Sequence, residues 1–92
     1  MYDEMMADGR ALITRYGEHL PAGAVLSQVQ MVATLGGYWL TAFWSCDGSD
    51  VWGTVQEKRR GDLCGQVIVS TWAPGSETPA FAVVRAADEV PA

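Results

Sequence analysis

The chain has no asparagine, one lysine and one histidine. It has two cysteines and four prolines in 92 residues. A single histidine, His19, gives no histidine-based metal cluster, because a metal motif needs further ligands at a set spacing. Cys46 and Cys64 lack CxxC spacing, which argues against a zinc-knuckle or thioredoxin-like reading. They flank the third strand, so a disulfide would have to join strands that are not adjacent. Buried free thiols are the expectation. No apolar run approaches the length of a membrane span. The start, Met1-Tyr2-Asp3-Glu4, is acidic where a secretory signal is basic. The expectation is a cytoplasmic protein with reduced thiols. Basic residues are scarce, at six against eleven acidic, for a net charge of −5. That balance disfavours nucleic acid and anionic membranes as partners. The missing asparagine and single lysine, set against abundant Ala, Gly and Arg, fit a GC-rich bacterial or phage genome.

A chain of 92 residues makes one small domain spanning 1–92, burying only about 60–65% of the surface its unfolded form exposes. Aromatic content is concentrated: three of the four tryptophans fall within residues 39–52. Tryptophan is costly to leave in water and is favoured at binding sites.

Periodicity predicts one helix over 3–16. Met5, Met6, Leu12, Ile13 and Tyr16 share a face, and Gly17 is a natural stop. Gly9 lies inside the helix and costs about 1 kcal/mol relative to Ala, which suggests a close crossing over a sheet. The period then changes to two. Strands are predicted over 25–35, 38–46, 51–58, 63–73 and 80–86. Gly36-Gly37, Asp47–Asp50, Arg59–Asp62 and Pro74–Pro79 separate them, and 87–92 reads as a frayed tail. Short turns join antiparallel neighbours. The fold class is α+β: one N-terminal helix packed on a five-stranded antiparallel meander, with curling into a small barrel as one option.

The second strand carries the functional signal. Tyr38, Leu40, Ala42 and Trp44 point one way, and Trp39, Thr41 and Phe43 the other. Both faces are apolar, yet one short helix can cover only one of them. Leu40 and Trp44 are expected inward, and Trp39 with Phe43 outward or at an interface. The other cover is then a barrel wall, a second copy or a foreign protein.

Catalytic constellations are lacking. His19 has no recognisable nucleophile, acid or metal partner. Asp47, Ser49 and Asp50 have too few oxygen ligands for a calcium loop and read as a hairpin turn. Arg60-Gly61-Asp62 is a three-residue match to an integrin-binding motif and reads as a turn requiring glycine. The expectation is therefore not an enzyme, with no cofactor and no metal. Lys58, Arg59 and Arg60 hold half the basic charge and suggest a basic tip that contacts phosphate or an acidic protein surface. The candidate partner-binding set is Trp39, Phe43, Trp52, Lys58, Arg59 and Arg60. The organisation is shared by many small bacterial and phage proteins, immunity proteins and anti-CRISPR-type inhibitors among them, an analogy of fold alone. The leading expectation is a non-catalytic inhibitor or adaptor that docks another protein through an aromatic sheet face. A small-ligand barrel lined by Trp44, Trp52, Trp72 and Met31 is the second, and a homo-oligomeric structural protein the third.

Overall fold

A computed structural model describes residues 2–34 and 36–88. Helix α1 spans Tyr2–Arg15 and is followed by a single 3-10 turn, Gly17–His19. Five strands follow: β1 Ala24–Thr34, β2 Gly37–Cys46, β3 Trp52–Arg59, β4 Val67–Trp72 and β5 Ala80–Arg85. Every pairing is antiparallel and the spatial order is β1-β2-β3-β4-β5, a simple meander. β1 and β5 form the two edges, so the sheet is open and the barrel option is not realised. With it falls the barrel cavity, because its proposed lining lies on opposite faces: Trp44 and Met31 on one, Trp52 and Trp72 on the other. The expected last residue of the first strand, Leu35, and the tail beyond Asp88 lie outside the described residues.

Element bounds differ from expectation chiefly at β4, which begins at Val67 rather than 63. Arg60 and Leu63 both adopt left-handed backbone (φ 65° each), and Gly61 and Gly65 do the same (φ 73° and 89°). A strand cannot run through such a segment. The loop closes on β3 instead: Lys58 N–H donates to Gln66 O, and Gly65 N–H to Lys58 O, each at 2.9 Å.

Helix α1 packs mainly on β1 and β2 and reaches only the near side of β3. The sheet face beneath it holds Val29, Leu40, Ala42, Trp44, Val55, Val67 and Val69, which with Leu12 and Tyr16 of the helix region form the core. Two glycines shape this core. A methyl group on Gly9 would run into the Val29 side chain, so the helix sits close to β1 because Gly9 has no Cβ. Gly53 lies opposite Trp44 in the β2–β3 register, and the buried indole lies over it. An aromatic on the neighbouring strand thus covers the backbone that this glycine leaves bare.

The close seat gives a test. Gly9→Ala raises helix propensity by about 1 kcal/mol. The collision with Val29 should outweigh that gain and leave a net loss of about 1–2 kcal/mol in urea unfolding. Adding Val29→Ala to Gly9→Ala should show positive coupling, with the double variant more stable than the sum of the single effects implies.

Candidate functional site

Register assigns the other sheet face residue by residue, because directly paired residues share a face. One row runs Gln28, Phe43, Thr54, Ser70, Phe81 from edge to edge. The next runs Gln30, Thr41, Gln56, Ile68, Val83. Val32, Trp39 and Lys58 lie toward one end, and Ser45, Trp52 and Trp72 toward the other. No helix crosses this face among the described residues.

The relief of the face follows from side-chain size. Thr41, Thr54 and Ser70 are buried beneath taller neighbours. Gln56 Nε2 donates to Thr41 Oγ1 at 3.1 Å, so the floor is internally hydrogen-bonded. Trp52 and Trp72 stack with ring centroids 4.4 Å apart and planes within 3°. Trp52 is 41% exposed and Phe81 72%, while Trp39, Phe43, Ile68 and Trp72 are half-buried. Among the described residues no carboxylate lies on the face, and the one charged residue there is Lys58.

The candidate residues separate into two groups. Trp39, Phe43 and Trp52 do share this face, and Leu40 with Trp44 lie inward beneath α1, as the alternation requires. The three basic residues do not form one tip. Lys58 is only 4% exposed, and its Nζ donates to Asp62 O at 2.6 Å inside the β3–β4 loop. Arg59 points to the helix side, as strand alternation demands of the next residue. Its Nε donates to Glu57 Oε1 at 2.8 Å and its Nη1 to Asp8 Oδ2 at 3.1 Å. Burial acts to lower the Arg59 pKa, but the bonds to Glu57 and Asp8 outweigh it and hold the guanidinium above its usual value. Arg60 alone is exposed, in the turn. Trp72 and Phe81 belong to the face and stood outside the candidate set. Counting strand parity from the turns would have placed both, given the correct start of β4.

The remaining groups stand apart from this face. His19 lies in the 3-10 turn, 3.5 Å from Glu18 Oε1, beside a shallow groove of about 220 Å³ over β4 and β5. Cys46 and Cys64 are free thiols near opposite ends of β3, on the order of 20 Å apart, and are half-buried where full burial is the expectation. Among the described residues no group of three His, Cys, Asp or Glu side chains is placed to hold a metal ion, and no helix is long and apolar enough to cross a membrane.

Arg59 thus joins helix to sheet. Asp8 is nearly half exposed, so Asp8→Ala should cost only about 0.5–1 kcal/mol in denaturant unfolding. Arg59→Ala should cost more than Asp8→Ala, because it also leaves the largely buried Glu57 carboxylate unpaired. Since the Arg59 pKa is raised, its contribution is complete at neutral pH and is lost only as pH climbs through that high value. The difference between Arg59→Ala and wild type should therefore stay flat from pH 6 to 9. No family model, curated protein or solved structure matches the chain.

Proposed function

We propose that the chain is a non-catalytic protein-binding module, an inhibitor or adaptor of the bacterial or phage type. It docks through the sheet face opposite α1. One observation carries the reading: the sheet has a single cover, and the uncovered face gathers Trp39, Phe43, Trp52, Trp72 and Phe81. Apolar rings at this density are what anchor interfaces, and a lone soluble domain seldom leaves such a patch in water.

The chemistry of the face describes its partner. With no carboxylate among its described residues and its lysine turned into the β3–β4 loop, the face offers little to a charged surface. It suits an apolar patch on another protein. Thr41, Thr54 and Ser70 are buried, so the rings and not the hydroxyls would meet that partner's side chains. Arg60 and Asp62 stand exposed in the loop at one end, where they add polar rim contacts.

A photo-crosslinking residue in place of Phe81 tests the docking face. It should label a protein partner in cell extract, while the same group in place of the exposed Ala7 on α1 should not. Trp52→Ala with Phe81→Ala should then weaken binding to the captured protein by about 2 kcal/mol or more, about thirtyfold in Kd. Undiminished binding by a folded double variant would remove the proposal.

A further inference from the structure

The two edges of the sheet are unlike. β5 has six residues, follows Pro79 and ends at Arg85. Short length, proline and charge are devices that keep an edge from pairing. β1 has eleven residues and contains no charged residue, no proline and no glycine. Its only irregularity is a bulge at Ser27. Val25 and Met31 are each more than half exposed along it. No charged side chain occurs anywhere from Leu20 to Cys46, in a chain that carries seventeen elsewhere. As an edge strand, β1 presents unpaired backbone donors and acceptors and carries no charge of its own to repel a neighbour.

We infer that β1 pairs antiparallel with β1 of a second copy, about a two-fold axis, to make one continuous ten-stranded sheet. A two-fold pairing sets only the residues beside the axis near their own kind, so charge at the middle of the strand would oppose itself. Centred on Val29, the pairing sets Gln28 against Gln30 of the second copy, twice, amide against amide.

Helix placement supports the same partner. α1 runs antiparallel to β1: Met5 lies near Met31, and Ile13 near Ala24–Leu26. On the outer side, Met6, Ile13 and Thr14 line an open groove of about 390 Å³ with Ala24, Val25 and Leu26, and the exposed Arg10 stands at its rim as the one charge there. Strands are spaced about 4.8 Å apart, so the two-fold axis falls about 2.4 Å outside β1. With α1 riding over β1 and β2, the two helix axes come about 10 Å apart, a normal helix-packing distance. Met6 and Ile13 of each copy then close the groove of the other. A strip about 37 Å long and about 10 Å deep, with the helix flank added, removes on the order of 1,200 Å² from the pair. That reaches the lower bound for a stable interface. The sheet face opposite α1 stays free in both copies, so this inference stands apart from the proposed docking function.

Sedimentation equilibrium of the full chain tests it. Wild type should show twice the 9.9 kDa chain mass and dissociate on dilution. Gln28→Lys with Gln30→Lys should raise the dimer Kd about tenfold or more, with the near-UV dichroism of the folded chain retained. Val32→Lys, at an exposed site on the same strand, is the second edge variant and should act in the same direction. Trp52→Ala with Phe81→Ala should leave the dimer unchanged. Amide exchange along β1 should slow as concentration rises. A monomer at every concentration overturns the inference. So does a dimer lost in the Trp52/Phe81 variant and kept in the folded edge variants, which would put the second copy on the open face.

Discussion

Everything in this molecule turns on how closely one short helix can approach the sheet. Gly9 leaves room for Val29, and the absence of a side chain at that point lets α1 settle over β1 and β2. Leu12 and Tyr16 then reach Leu40, Ala42 and Trp44, which hold the centre of the core. A larger residue at position 9 would lift the helix from the very strands it shields. Asp8, next in sequence, fixes the lateral position by pairing with Arg59 on β3. Packing sets the height of the helix and an ion pair its offset.

The same economy leaves the molecule two-sided. A helix of 14 residues is about 21 Å long and shields one face of part of the sheet. Beneath it the sheet is aliphatic, with one large ring, Trp44, laid over Gly53. That arrangement has a cost, since the Trp44 Nε1–H meets no acceptor among the described residues. Opposite, small hydroxyl residues support the taller rings. Thr41, Thr54 and Ser70 are buried although no described element lies above them, and in the register they alternate with Trp39, Phe43, Trp52 and Ile68. The open face is thus an ordered surface with fixed relief, held by cross-strand contacts and the Gln56–Thr41 bond.

Much of this was legible in the residues, and the rest was hidden for physical reasons. The helix, the five strands and their antiparallel order follow from local periodicity and from turns at Gly48, Gly61 and Gly75, all with positive φ. Alternation alone separates Leu40 and Trp44 from Trp39 and Phe43. Leu40 and Trp44 are the inner pair, as expected from the sequence, and the close contact of Gly9 with Val29 seats α1 on their side. Leu63 to Gln66 misled because its composition suits a strand, while Leu63 and Gly65 take left-handed backbone that ends one. The basic tip failed on parity, since neighbours in a strand cannot point together, and Lys58 and Arg59 both lie in β3. Phe81 belongs to the face through register transmitted across β4, so the misplaced start of β4 hid it.

The stacked Trp52 and Trp72 rings have an optical consequence. At 4.4 Å and nearly parallel, two indoles do not absorb independently; their transition dipoles couple, and excitation is shared between them. The pair spans β3 and β4 and stands at the margin of the open face. Its circular dichroism band therefore reports the spacing of two adjacent strands at the point where a ligand would press. The protein carries a built-in gauge of its own sheet geometry, readable without any label.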